Sequence, residues 1–152
     1  MKILFVCSGN SCRSAMAEGI AKKWADEHGI RALTFASAGI LGIVGVPASE
    51  NAIIACKEIG VDITSHRSRG TNRGLINSFD YIFGMENAHI QYCRDIAPER
   101  QSRIYLLGDF GPGANGEEVP DPLGFELEYF RRVRDKIKEH LSRILPFLEN
   151  EI

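Results

Sequence analysis

Cys7 opens the segment Cys7-Ser8-Gly9-Asn10-Ser11-Cys12-Arg13, and Ser14 follows at once. A thiol, a tight loop and a guanidinium in this order suit attack on a tetrahedral oxyanion such as a phosphate ester. That chemistry needs an ionised sulfur, neutralised equatorial oxygens and a protonated leaving atom. The backbone amides from Ser8 to Arg13 can converge as an anion nest, with Gly9 opening angles closed to other residues. A helix starting near Ser14 turns its positive end to the same point. Arg13 adds a two-pronged donor matching two phosphate oxygens. The same field favours a thiolate at Cys7, and the Ser14 hydroxyl can donate to that sulfur. Asp121, between Pro120 and Pro122, is the candidate acid, its stiffened flanks fixing the carboxyl's direction. The spacing of Cys7 and Arg13 alone is a weak signal. A strand before it, a helix after it, and Gly9 with Asn10 inside it make the signal specific.

Those residues need a scaffold, and strand-like and helix-like segments alternate along the chain, as βαβ units do. Ile3-Leu4-Phe5-Val6 is a continuous apolar run, the mark of a strand covered on both faces. Met16, Ile20 and Trp24 with Ala17 and Ala21 place a helix over 14–29, stopped by Gly29. A second strand covers 33–38 and ends at Gly39; a helix over 49–59 closes at Gly60. Tyr81-Ile82-Phe83 is a third strand, residues 86–96 a helix, and residues 104–107 a fourth strand. The five glycines and three prolines of residues 108–124 make a long loop. A last helix spans 127–148 with Tyr129, Val133, Ile137, Leu141, Ile144 and Leu145 on its inner face.

At 152 residues, 44% of them hydrophobic, the chain fits a single domain over 1–152 with a core of its own. A net charge of −2 gives no pull toward nucleic acid or an anionic membrane. No apolar run is long enough to span a bilayer, and no secretory leader is expected at the N-terminus. Four irregularly spaced cysteines suit a reducing cytoplasm better than a disulfide scaffold. No Cys/His or carboxylate cluster has metal-ligand spacing, so a reaction without metal or cofactor is expected. Neither a nucleic-acid nor a membrane partner is expected, and a monomer is. His28, His89 and His140 occupy polar helix positions and receive no role. Arg131, Arg132 and Arg134 fit a solvated helix face better than a site for acidic peptides.

The segment Val6 to Ser14, with Met16-Ala17-Glu18 after it, closely resembles the signature of the low-molecular-weight protein tyrosine phosphatases. Ser37-Ala38-Gly39, His66-Arg67-Ser68-Arg69 and Asp121-Pro122 resemble later family segments, so the likeness covers nearly the whole chain. It implies a three-layer, flavodoxin-like α/β fold, a four-stranded parallel sheet with helices on both faces. It also implies a phosphorylated protein substrate, Cys7 as nucleophile, Arg13 and the loop amides as phosphate ligands, and Asp121 as general acid. In the family the loop Asn is held by the Ser of Ser-Ala-Gly and by the downstream His, here Asn10, Ser37 and His66. An Asn that tolerates the left-handed conformation suits such a loop. The family's second loop cysteine captures the oxidised nucleophile, a redox role that falls to Cys12.

Two departures bear on substrate. Leu123 stands where family members acting on phosphotyrosine usually carry an aromatic, and the loop after Gly39 is aliphatic, with Leu41 and Ile43. The rim can still bury a phenyl ring, though without aromatic stacking, typically ~0.5–1.5 kcal/mol. The related protein arginine phosphatases carry a small hydroxyl residue at the position of Ser11, so phosphoarginine is the second substrate expectation. Thioredoxin-coupled arsenate reductases need two further relay cysteines. Only Cys93 lies downstream of the third strand, and it and Cys56 are expected to be packing thiols. A phosphate-binding module without turnover would dispense with Cys7 or Asp121, and both are present.

Overall fold

The hydrophobic run at the N-terminus becomes the centre of a sheet, because both of its faces find apolar partners. In the computed structural model, which describes residues 1–152, β1 (Lys2–Cys7), β2 (Thr34–Gly39), β3 (Tyr81–Gly84) and β4 (Ile104–Leu106) form one parallel sheet in the order β2-β1-β3-β4. The β1–β2 register pairs Ile3 with Phe35 and Cys7 with Gly39; β1–β3 pairs Phe5 with Phe83. Alternation along β1 sends Ile3, Phe5 and Cys7 to one face and Leu4 and Val6 to the other.

On the first face lie α1 (Arg13–Glu27), α2 (Glu50–Lys57) and α5 (Leu127–Glu149); their Met16, Ile20, Ala52, Ile137 and Leu141 pack on Phe5, Phe35 and Phe83. On the second, Ile76 of α3 (Arg73–Asn77) and Ile90 and Cys93 of α4 (Asn87–Ile96) pack on Leu4, Val6, Ile82 and Ile104. The result is the expected three-layer arrangement, with all strands ending on one edge, where ligands of such sheets bind.

Several elements differ from expectation. The second helix ends in a turn over residues 58–60 rather than running to Ile59; the short α3 and a 3-10 turn (Pro98–Arg103) were not anticipated. Five-residue helices carry too little periodicity to be read from pattern alone. The buried face of α5 holds Phe130, Arg134, His140 and Leu148 as well as the expected apolar residues, while Tyr129 is only half-buried. The arginines at its start are not a solvated face. Arg131 grips Glu58 with Nη2 at 2.7 Å, and the buried Arg134 donates to Ala55 O at 2.8 Å and Glu58 Oε1 at 2.9 Å, joining α5 to α2. Of the three, only Arg132 projects into solvent. No helix is long and apolar enough to cross a membrane.

Candidate active site

The segment after β1 turns tightly enough to bring Cys7, Ser8, Gly9, Ser11, Cys12 and Arg13 around one cavity of about 140 Å³, which Leu41, Ile43, Asp121 and Leu123 complete. What makes the turn is Asn10, at φ 58 the only non-glycine residue of the chain with positive φ. Gly9 does not take that conformation, so the freedom expected of the glycine belongs to the asparagine. Asn10 is fully buried and its side chain is held at three points: Nδ2 donates to Ser14 Oγ at 2.8 Å and Ser37 Oγ at 2.9 Å, and Oδ1 accepts from Arg69 N at 3.0 Å. His66 Nε2 donates to the backbone oxygen of Asn10 at 2.6 Å. Ser37 and His66 thus meet Asn10 as the resemblance implies, with Asn10 donating to the serine and the histidine holding main chain rather than side chain. Ser37 Oγ in turn donates to Glu18 Oε1 at 2.5 Å, which anchors the network in α1.

Gly39 ends β2 directly beneath this loop. A Cβ there would lie 2.6 Å from Ser8 O and 3.0 Å from Asn10 N, so only glycine lets strand and loop close on each other. Packed this way, the loop keeps its backbone donors free of partners within the protein. None of the backbone N–H groups of residues 8–12 is used in a hydrogen bond within the protein, and α1 has no side-chain N-cap. Unpaired amides beside a helix N-terminus are an anion site in waiting.

Cys7 lies at the floor, 2% exposed, with its sulfur 2.9 Å from Ser14 Oγ. Because Asn10 Nδ2 already occupies an acceptor position of that hydroxyl, the serine proton is free to point at sulfur. Cys12 is buried as well; burial pushes its thiol up from the ordinary range, with Ser49 Oγ at 3.2 Å opposing. Cys56 and Cys93 are core thiols, each pushed up to about 12 by burial and remote from the cavity, as packing residues should be.

Arg13 is no surface cap. It is 2% exposed, and Nη1 donates to Glu86 Oε2 at 2.5 Å and to Val119 O at 2.8 Å, while Nη2 stands 3.7 Å from Asp121 Oδ2 and 3.5 Å from Ser8 Oγ. Through Val119 the same guanidinium holds the segment that carries Asp121. That segment is pinned at successive residues. Glu117 pairs with Gly108 in an antiparallel bridge and accepts from Lys136 Nζ and His140 Nε2, each at 3.0 Å. Glu118 Oε2 takes the Asn87 N–H at 2.7 Å, and Val119 N donates to Met85 O at 2.8 Å. Asp121 itself is exposed, and its Oδ1 accepts the Leu123 N–H at 3.0 Å, which turns the carboxyl toward the cavity mouth.

Sequence reasoning passed over Glu86, His89 and His140. The two histidines, expected at polar helix positions, are 1% and 2% exposed. Burial, then the Arg13 charge, pushes the His89 imidazole down to about 4; burial, then the Arg143 charge, lowers His140. Glu86 and His89 exchange side-chain and backbone hydrogen bonds as a capping box at the start of α4, but Glu followed by His is not the residue pattern that announces one. Only His28, exposed and lying over Trp24, is where it was expected.

A family model described as "Low molecular weight phosphotyrosine protein phosphatase" matches residues 2–152. The chain belongs to this family. Among its relatives, a Salmonella typhi low molecular weight protein-tyrosine-phosphatase, Wzb, is 36% identical over 87% of this chain and 83% of its own length. A Geobacillus stearothermophilus protein-arginine-phosphatase is 29% identical over 99% of this chain and 97% of its own. A solved structure of the YwlE arginine phosphatase, a C7S mutant with a phosphorylated active site serine, superposes with TM-score 0.91 at 28% identity, covering 98% of this chain and 96% of that one. The fold, the family and phosphatase activity follow together.

Proposed function

We propose that the protein hydrolyses phosphotyrosine in protein substrates through a phosphocysteine at Cys7. The observation that carries this reading is the set of uncommitted amides of residues 8–12, in the loop that brings Cys7 and Arg13 to one cavity. The phosphoryl oxygens lie on those amides and on Arg13. The Cys7 thiolate, stabilised by a hydrogen bond from the Ser14 hydroxyl, attacks phosphorus in line. Asp121 protonates the departing phenolate and afterwards, as a carboxylate, takes a proton from the water that cleaves the phosphocysteine. Glu86 keeps the Arg13 guanidinium in plane. The phosphorylated active site serine of the YwlE mutant supports a covalent acceptor at this position.

The rim supports the phenolic substrate. Leu41, Ile43 and Leu123 are all exposed hydrophobic side chains, and a ring entering the cavity covers apolar surface that is otherwise wet. A phosphoarginine guanidinium would need acceptors for its N–H groups, and the lining offers it Asp121 and the Ser11 hydroxyl. The Ser11 hydroxyl, whose one hydrogen-bond contact is a long 3.8 Å approach to Cys12 Sγ, is the feature that favours phosphoarginine as the second reading. Cys12 serves as the redox guard of Cys7, and its raised thiol makes it a slow one. Four free cysteines fit work in a reducing cytoplasm.

The test is kcat/KM for matched phosphotyrosine and phosphoarginine peptides, with Cys7→Ser as control. Preference for phosphotyrosine and no turnover by Cys7→Ser is the expected result. Preference for phosphoarginine would transfer specificity to Ser11, and substantial activity in Cys7→Ser would refute the mechanism.

A further inference from the structure

Ser8 lines the phosphate cavity, and its side chain has a partner far away in sequence. His89 Nε2 lies 3.0 Å from Ser8 Oγ, and the opposite ring nitrogen, Nδ1, accepts the backbone N–H of Glu86 at 3.0 Å. A backbone amide only donates, so Nδ1 carries no proton and the neutral ring holds its hydrogen on Nε2. Burial of the imidazole, which pushes it down to about 4, keeps the ring neutral at ordinary pH. Nε2 is therefore the donor and Ser8 Oγ the acceptor. Arg13 Nη2, which can only donate, stands 3.5 Å from the same oxygen. Both lone-pair directions of Ser8 thus face donors, and its own proton is left for the cavity.

The direction of this bond matters. Were the tautomer reversed, Ser8 would give its proton to the ring and present a lone pair to a phosphoryl dianion. We propose that the Ser8 hydroxyl is a side-chain donor to the bound phosphoryl group, and that His89 is the positioning residue that aims it. The inference rests on the phosphatase reading above and adds to the backbone amides a donor that a nest alone does not supply. It also gives His89 two separable contacts: the ring donates to Ser8 on one side and, through Glu86, steadies the carboxylate that holds Arg13 on the other.

A double-mutant cycle separates these contacts. Ser8→Ala, His89→Phe and the double variant are compared with wild type for kcat/KM on a phosphotyrosine peptide and for vanadate binding by calorimetry, with Tm as a check on folding. Loss of one hydrogen bond to a charged group lowers kcat/KM by about 10- to 100-fold in Ser8→Ala and weakens vanadate by a similar factor. Ser8→Thr, which retains the hydroxyl, recovers most of that loss. His89→Phe costs about tenfold in wild type and no more than about twofold in the Ser8→Ala background, because its effect runs through the hydroxyl.

Ser8→Ala within about threefold of wild type in both readouts would overturn the donor. An undiminished His89→Phe effect in the Ser8→Ala background would overturn the positioning role and route it through Glu86 and Arg13. Should His89→Phe not fold, His89→Leu, which likewise carries no donor, takes its place in the cycle, while Ser8→Ala alone still decides the donor. Absence of turnover in wild type would refute the phosphatase reading instead, and vanadate binding by Ser8→Ala would still decide the donor.

Discussion

Asn10 carries the geometry of the phosphate loop, and replacing it separates two physical contributions. Its side chain makes three buried hydrogen bonds, to Ser14, Ser37 and the Arg69 amide. At about 1 kcal/mol net for each, their loss costs about 3 kcal/mol. The backbone sits at φ 58, where a Cβ without a compensating polar group adds about 1 kcal/mol. Asn10→Gly removes the bonds alone and is expected to cost about 3 kcal/mol, Asn10→Ala about 4. Either is a large fraction of a typical domain stability of about 5–15 kcal/mol. Urea unfolding at fixed pH measures both variants, and kcat/KM on a phosphotyrosine peptide measures the site. In both variants Ser14 loses the donor that orients it, so activity falls beyond what any unfolded fraction explains. Asn10→Ala as stable as Asn10→Gly would refute the assigned strain, and a cost below about 1 kcal/mol for both would refute the network.

Three further outcomes follow from the same contacts. Gly39→Ala drives a Cβ to 2.6 Å from Ser8 O, so phosphate inhibition and kcat/KM should both collapse; normal inhibition by phosphate would show that the loop can retreat. Asp121→Asn should lose about 10²–10⁴-fold in kcat/KM on phosphotyrosine and far less on p-nitrophenyl phosphate, whose leaving group needs no proton; equal losses in kcat/KM on both would remove Asp121 from the acid's role. His89 favours its neutral form in the fold, so it stabilises the protein above the ordinary histidine range of about 6.5 and this contribution is lost as pH falls toward about 4. Between pH 7 and 4 about 3 kcal/mol should disappear from urea-unfolding stability on this account, and His89→Phe should flatten that part of the profile; an unchanged slope would contradict the neutral buried ring.

The phosphate loop was legible because its parts are contiguous: nucleophile, amides, guanidinium and the first turn of α1 lie within eight residues, Cys7 to Ser14. The strands were legible for the same local reason, the first and third as short apolar runs. What the chain does not announce is which distant group completes each of these. Glu86 pairs with an arginine 73 positions away, and nothing in the local pattern of α4 distinguishes it from a solvated acid. His89 and His140 sit where helical periodicity permits polar residues, and only packing makes them buried. Arg134 was read as surface because arginine usually is; Glu58 and Ala55 O supply the partners that let it go inside. The flexibility assigned to Gly9 is used by Asn10, the residue that the family resemblance marks as tolerant of a left-handed backbone. The loop before Asp121 is ordered by Gly108, Glu117, Glu118 and Val119, whose partners lie on three other segments.

The central claim is that Cys7 accepts the phosphoryl group. Asp121→Asn slows the second step as well as the first, so a phosphoenzyme should accumulate with p-nitrophenyl phosphate, a substrate whose first step needs little acid. Acid quench followed by intact-mass and peptide mass spectrometry reads it directly. One phosphoryl group on Cys7, absent when Cys7→Ala is added to Asp121→Asn, is the predicted result; turnover without any covalent adduct, or an adduct on another residue, would contradict the account.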